Sequence, residues 1–368
     1  MKLRENVPIS TLTTMRLGGS ARYVAEVHNL AEVKEAYDFA RENSLPVYPL
    51  GSGSNTIGRD EGFPGLIILN RLKGMEVIEE TSDDVLVRSA GGEIWDDFVK
   101  FCTDRGYSGI EAMSGIPGTV GAAPVQNIGA YGQSLSNTLD HIEVYDTKER
   151  EMIILGHDEL KMRYRKTILN TEEAGRYFVT AITLRLENFE HLEPPFYNSL
   201  QKYLDEHKIT EYSPTNIRNA VLAIRGDKLP DPAVQPSAGS FFKNVQLSPD
   251  EAEVARTNGY KVYKKSDGSF TLNSGWLIEE AGLKGKQFHN FQVSDKASLI
   301  LINVNAKSYH ELDQVRSEII KTVFEKSGYK LEQEPVEIPS TGFSERDTRP
   351  ASQNSQPRGK SANEQELV

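Results

Sequence analysis

Cysteine is nearly absent: Cys102 is the one thiol in 368 residues. No disulfide can therefore form within the chain, and such usage suits a reducing compartment. Long apolar runs are missing as well. No stretch approaches the ~18 apolar residues of a membrane span, and the opening MKLRENVPISTLTTMRLGG has no apolar signal core. No membrane insertion and a cytoplasmic location are the expectations. The seven histidines are scattered without an H-x-x-H or H-E-x-x-H pair, which with one cysteine leaves no metal-site pattern. Positive charge is outweighed, and a net charge of −11 argues against a nucleic-acid partner, although a local basic cluster can still hold phosphate. What is present, 38% hydrophobic and 26% charged residues, is ordinary for a folded protein. The length suffices for two or three domains.

Local patterns supply the elements. Residues 29–43, NLAEVKEAYDFAREN, read as a helix with Asn29 and Glu32 as a capping box and Leu30, Val33, Tyr37 and Ala40 on one face. Cys102 sits in EIWDDFVKFCTDRG with Trp95, Phe98 and Val99 at helical spacing, which makes it a packed core thiol. LPVYPL, GLIILN, DVLVRSA, HIEVYDT, REMIIL and YFVTAITLRLE read as strands. Beyond residue 190 the pattern turns helical with proline breaks. Ser248, Pro249 and Glu251 open one helix. YHELDQVRSEIIKTVFEKSG is strongly amphipathic, with Leu312, Val315, Ile319 and Val323, joined by Ile320 and Phe324, as its apolar stripe and Gly328 as its stop. YKLEQEPVEI reads as a closing strand, at an edge or distorted where Pro335 removes a donor. The polar stretch from about 340 to 368 reads as a disordered tail.

Two glycine runs carry chemistry. PLGSGSN, 49–55, follows a strand and offers backbone N–H groups and hydroxyls to an anion; without a lysine it is no Walker A loop. GIPGTVGAAPVQNIGAYG, 115–132, holds five glycines and no charge, so it must pack against something. A flat, partly apolar ligand with a diphosphate suits it, and together the runs point to a dinucleotide. AGSFFKN, 238–244, places Ser240 after Gly239. Phe242 stands where a hydrolase elbow needs its second glycine, so on its own this serine reads as a turn hydroxyl.

In this order LGSGSN, GIPGTVGAAPVQNIGAYG, MRYRKT, KLPDP and AGSFFKN resemble the UDP-N-acetylenolpyruvoylglucosamine reductases of bacterial cell-wall synthesis, over about residues 8–339. The resemblance implies an α+β fold. A two-lobed FAD-binding domain of the vanillyl-alcohol-oxidase (PCMH) type would span 1–70 and 71–200, and a C-terminal α+β substrate-binding domain 201–339. It implies non-covalent FAD, NADPH as co-substrate, a UDP-sugar substrate and a monomer. NIGAYG and the tyrosine-bearing segment near 190–200 resemble the longer of two subtypes, in which a tyrosine loop covers the substrate.

Residue by residue, the resemblance assigns Arg165, Ser240 and Glu334 to catalysis. Reducing an enol ether conjugated to a carboxylate takes a hydride on one carbon and a proton on the next. Ser240 would give that proton if cations stabilise the alkoxide, and Arg165 would hold the carboxylate. Arg163, Lys166 and Lys202 are rival cations. Glu334 is the acid by the family's spacing and Glu337 its rival, because Pro335 and Val336 replace a common valine–arginine pair. The cofactor would rest on Gly51, Ser52, Gly53, Ser54, Asn55, Gly115, Ile116, Pro117, Gly118, Thr119, Gly121, Ala122, Asn127, Gly129, Ala130, Tyr131 and Arg165. The substrate would meet Tyr197, Arg225, Lys228, Ser240 and Asn244. A flavin oxidase on the same fold and a non-catalytic UDP-sugar- or flavin-binding protein are the competing classes. A serine hydrolase lacks both an elbow and a histidine partner.

Overall fold

The computed structural model describes residues 1–188, 192–194, 196–265 and 268–339. The tail expected from 340 and part of the 190–200 segment lie outside the described residues. The first sheet contains β1 (Lys2–Pro8), β2 (Ser20–Val27), β3 (Val47–Leu50) and, beyond the two-residue β4 (Thr56–Ile57), β5 (Phe63–Asn70), in the order β1-β2-β5-β3. β5 runs parallel to both β2 and β3, as the crossover helix α1 (Leu30–Glu42) between those two requires. Its sequence FPGLIILN is buried at every position but Pro64, the mark of a parallel strand covered on both faces. α1 begins where Asn29 Oδ1 accepts the Glu32 N–H at 2.9 Å, and the Glu32 carboxylate turns back to the His28 N–H at 2.8 Å, one residue earlier than a capping box would place it. Val33, Ala36 and Ala40 form its buried face, whereas Leu30 is 49% exposed. The expected face is therefore centred on Ala36.

The second sheet is wholly antiparallel. Its strands are β6 (Met75–Glu80), β7 (Asp84–Ala90) and, after the short hairpin β8 (Gly129–Ala130) with β9 (Gln133–Ser134), β10 (Leu139–Asp146), β11 (Glu151–Gly156) and β12 (Tyr177–Glu187). They order as β11-β10-β12-β7-β6. α2 (Trp95–Thr103) presses Trp95, Phe98, Val99 and Cys102 into the core of this sheet. The charge-free run after it folds as a 3₁₀ segment, Val120–Gln126, in the same core.

Two helices follow, α3 (Asn198–Glu206) and α4 (Pro214–Lys228), joined through Leu200, Leu204, Ile217 and Val221. Asp96 at the start of α2 fastens α4 by accepting two hydrogen bonds from Arg218, at 2.6 and 2.8 Å, and also accepts the Gly115 N–H at 2.6 Å. The remaining chain alternates short strands and helices: β13 (Val245–Leu247), α5 (Pro249–Thr257), β14 (Val262–Lys264), β15 (Phe270–Leu272), α6 (Ser274–Glu280), β16 (Gln287–Phe288), β17 (Phe291–Val293), β18 (Leu301–Asn303) and α7 (Tyr309–Ser327). Ser248 and Glu251 make a complete capping box on α5. α7 buries Leu312, Val315, Ile319 and Val323 and ends at Gly328 with φ of 73°. Phe324 is 52% exposed; one residue beyond Val323 turns the helix about 100°, so it leaves the stripe.

The closing segment departs most from its sequence pattern. Only β19 (Val336–Glu337) is strand, and it pairs in parallel with β4, Val336 opposite Thr56 and Glu337 opposite Ile57. Before Pro335, Gln333 bridges Phe242. The chain thus crosses from the C-terminal elements back toward the first sheet. Met15, Leu17 and Ile57 make the reciprocal move, packing in one apolar cluster with Ala238, Phe241 and Leu331.

Cys102 has no exposed surface, and burial pushes its thiol well above the ordinary range. A thiol reagent at pH 8 should label the native protein hardly at all and the unfolded protein with one equivalent. Rapid labelling of native protein would mean that the α2 core is wrongly described.

Candidate active site

The two glycine runs meet face to face. Gly51 lies so close to Thr119 that a Cβ there would sit 2.4 Å from the Thr119 Oγ1, and one at Gly53, whose φ is 68°, would sit 2.1 Å from the Leu12 carbonyl oxygen. Only glycine permits either approach. Ser54 Oγ donates to the Pro117 carbonyl at 3.0 Å, and Asn55 Nδ2 donates to Gln126 Oε1 at 2.8 Å, which lock the loops together. Around this junction the hydroxyls of Thr13, Ser52 and Thr119 are buried with no hydrogen-bond partner. A buried polar group left unpaired costs about 1–3 kcal/mol, so three at one junction mark a place built for an acceptor-rich ligand. The diphosphate of FAD meets that description.

A cavity of about 610 Å³ opens beside the junction, and its lining includes Gly51, Asn55, Thr119, Gly121 and Ala122 together with Arg165, Lys243 and Glu334. Arg165 occupies a two-residue turn closed by the Arg163 N–H to the Lys166 carbonyl at 2.8 Å. Its φ of 56° is left-handed, an unfavourable setting for arginine that a functional site can impose. Its Nε lies 2.8 Å from Glu334 Oε1, with the side chains 20% and 13% exposed. The Nε–H does not point along that contact, so the pair is held by charge and proximity more than by an aligned hydrogen bond. Arg163 and Lys166 are exposed.

Glu334 and Glu337, three residues apart, have opposite environments. Burial pushes the Glu334 carboxyl up, although Arg165 and Lys243 pull the other way. Burial also works upward on Glu337, but hydrogen bonds from Tyr309, Arg59 and Arg316 win and hold it below the usual range. Those donors lie at 2.7, 2.8 and 2.6 Å. Glu337 is thus a fixed anion inside a network, whereas Glu334 is the carboxyl that burial makes readier to hold a proton. Its place is set by neighbouring strand contacts: the Glu334 N–H donates to the Phe241 carbonyl at 2.9 Å, and the Lys243 N–H donates to the Glu332 carbonyl at 2.9 Å.

Ser240 lies on the same segment, bridged to Ile300. It is half-buried, and its hydroxyl has no hydrogen-bond partner among the described residues. It does not line the cavity, and neither do Tyr197, Arg225, Lys228 or Asn244. Three residues gather elsewhere. The rings of Tyr131 and Tyr197 meet edge to face with centroids 6.0 Å apart, and Arg225 packs over Gly115 close to Tyr131. Lys228 is exposed at the end of α4, and the Asn244 side-chain oxygen accepts the Ser274 N–H at 3.0 Å to cap α6.

The long glycine run therefore divides. Thr119, Gly121 and Ala122 face the cavity, with Ile116, Pro117 and Gly118 leading into it, while Gly115 and Tyr131 face Arg225. Asn127, Gly129 and Ala130 do not line the cavity. Asn127 has left-handed φ and gives its side chain to Ser136 and the Arg163 carbonyl, and Gly129 and Ala130 pair within β8. In that position Asn127 supports Arg165, whose guanidinium reaches its carbonyl at 3.4 Å. Lys243, Gln126 and Arg59 are cavity residues that the sequence reading passed over. Lys243 stands in AGSFFKN beside Ser240, yet nothing in the sequence separates it from a solvated lysine. Among the described residues no group of three His, Cys, Asp or Glu is placed to hold a metal, and no helix is long and apolar enough to cross a membrane.

Residues 21–151 match the FAD binding domain family, and residues 231–338 match the UDP-N-acetylenolpyruvoylglucosamine reductase C-terminal domain. The chain is 34% identical over 340 residues to the UDP-N-acetylenolpyruvoylglucosamine reductase of Chromobacterium violaceum, covering 91% of this chain and 99% of that one. For the protein of the same name from Ralstonia nicotianae the identity is 36% over 342 residues, with the same coverage. The crystal structure of the Thermus caldophilus reductase superposes with a TM-score of 0.62 at 23% identity, covering 92% of this chain and 100% of that one. The fold is accordingly the α+β arrangement expected: an FAD-binding domain and a C-terminal α+β domain.

The opposed carboxyls predict opposed stability profiles. The folded-state pKa of Glu337 is depressed, so its stabilisation is present above the ordinary carboxyl range and is lost as pH falls through the folded value. Glu337→Gln should lower stability at pH 7 by about 1–3 kcal/mol, with the deficit shrinking in acid. The folded pKa of Glu334 is raised, so its penalty is absent in acid and develops as pH rises from the unfolded to the folded value. Glu334→Gln should therefore match or exceed the parent at pH 7 and lose that advantage in acid. Urea midpoints at several pH values test both, and same-sign shifts at pH 7 would contradict the assignment.

Proposed function

Because the chain belongs to the UDP-N-acetylenolpyruvoylglucosamine reductase family, we propose that it reduces UDP-N-acetylenolpyruvoylglucosamine to UDP-N-acetylmuramate for peptidoglycan precursor synthesis. The observation that carries this reading is the Arg165–Glu334 pair in the wall of a cavity bounded by both glycine loops. FAD, when bound, supplies the hydride, drawn from NADPH. Ser52, Thr119 and Thr13 would donate to its diphosphate, and residues 1–70 and 71–200 would form the two lobes around it. Among the described residues no histidine lines the cavity, and Cys102 is buried outside it, in keeping with a non-covalent cofactor.

The side chains divide the remaining work. Arg165 holds the enolpyruvyl carboxylate while negative charge grows on it. Glu334, protonated when its cationic neighbours engage the substrate, donates a hydrogen bond to the same group. Ser240 delivers the proton to the carbon next to the carboxylate, its hydroxyl being free to turn toward substrate. Arg225, Lys228 and Asn244 hold the sugar nucleotide in the 201–339 domain. Tyr197, edge to face with Tyr131, closes over it in the manner of the longer subtype. The enzyme works as a cytoplasmic monomer.

Anaerobic NADPH should bleach the flavin band of purified protein, and the enolpyruvyl sugar should restore it. Ser240→Ala should still bleach but recover about 10²–10⁴-fold more slowly. Glu334→Gln should slow recovery and Glu337→Gln should leave it less affected. A flavoprotein that bleaches yet never recovers with this sugar would move the oxidase reading forward.

A further inference from the structure

Three cations line the cavity, and two of them are already matched. Arg59 pairs with Glu337 at 2.7 Å and Arg165 with Glu334 at 2.8 Å. Lys243 makes no ion pair or side-chain hydrogen bond among the described residues. Its backbone is nonetheless pinned on both sides: the N–H donates to the Glu332 carbonyl at 2.9 Å, and Ser274 Oγ donates to its own carbonyl at 2.6 Å. It lies near enough to Glu334 to draw that carboxyl's pKa down against burial. A lysine whose main chain is fixed, and whose ammonium has no partner in the wall of a cavity, is placed for an anion that arrives from outside.

We propose that Lys243 is a further catalytic residue, the second cation on the substrate carboxylate during reduction. The inference rests on the reaction proposed above. Hydride adds to the terminal methylene carbon of the enolpyruvyl group, and the displaced double-bond electrons move onto the carboxylate. The group then carries two negative charges where the substrate carried one, until the middle carbon takes a proton and the carbon–carbon double bond to the carboxyl carbon reverts to a single bond. With Glu334 protonated, Arg165 and Lys243 together match the doubled charge, whereas Arg165 alone matches only the substrate. Lys243 therefore acts mainly where charge has grown, which is the condition for raising rate more than affinity.

The test separates this step from the reading beneath it. Wild-type bleaching by NADPH and recovery with the sugar establish the reaction itself. Lys243→Ala should bleach at close to the parental rate and bind the sugar to oxidised enzyme, by spectral titration, within about tenfold of parental affinity. Its reoxidation by the sugar should fall on the order of 10²-fold, and methylammonium should restore part of the rate in proportion to its concentration. Should the alanine variant fail to hold FAD, Lys243→Gln decides on the same reoxidation rate. Reoxidation within threefold of the parent, or a slow variant that ignores the amine, would overturn the proposal. Equal slowing of bleaching and reoxidation would also overturn it, placing the charge on the cofactor.

Discussion

A carboxyl buried between two cations is the constraint from which the site follows. Glu334 is 13% exposed in its side chain and sits against Arg165 and near Lys243. Each charge alone would be costly in that setting. Together they leave an excess of positive charge in a cavity wall, and that excess is what an anionic substrate answers. The three residues come from distant parts of the chain, so their meeting depends on the fold at every level. The Arg163–Lys166 turn aims Arg165, and the antiparallel Phe242–Gln333 bridge sets Lys243 and Glu334 diagonally across from each other.

The strand crossing at the C-terminus makes that arrangement rigid. Arg316 NH1 donates at 2.6 Å to both Gln333 and Glu337, which flank Glu334. Tyr309, on the same helix as Arg316, and Arg59, in the loop after β4, also hold Glu337, and β19 fastens to β4. Just beyond Pro335 and Val336, Glu337 thus stands in a network of its own. Glu337 and Asp313 together neutralise Arg59 and Arg316, leaving Arg165 and Lys243 as the cations beside Glu334 in the cavity lining.

Much of the fold was legible because its signals are local. Asn29, Ser248 and Gly328 act within one helical turn, and the apolar run of β5 announces a strand covered on both faces. The glycine runs were legible for the same reason, since close approach and positive φ leave only glycine. What the sequence concealed was long-range. The pairing of Val336 with Thr56 spans most of the chain, and no pattern of two residues encodes it. Lys243 looks like any surface lysine until the cavity is seen. Asn127, Gly129 and Ala130 belong to a glycine-rich motif, yet the chain turns away at Asn127 and uses them for local pairing and for support of Arg165. Arg165 and Glu334 entered through resemblance; their contact across 169 positions is a property of the fold.

The most direct test is a crystal structure with FAD and UDP-N-acetylenolpyruvoylglucosamine bound. The account predicts the FAD diphosphate within about 3 Å of the Ser52 and Thr119 hydroxyls, and the enolpyruvyl carboxylate within the same reach of Arg165 and Lys243. A carboxylate bound away from the Arg165–Glu334 wall would contradict it, as would a diphosphate seated elsewhere than the junction of the two glycine loops.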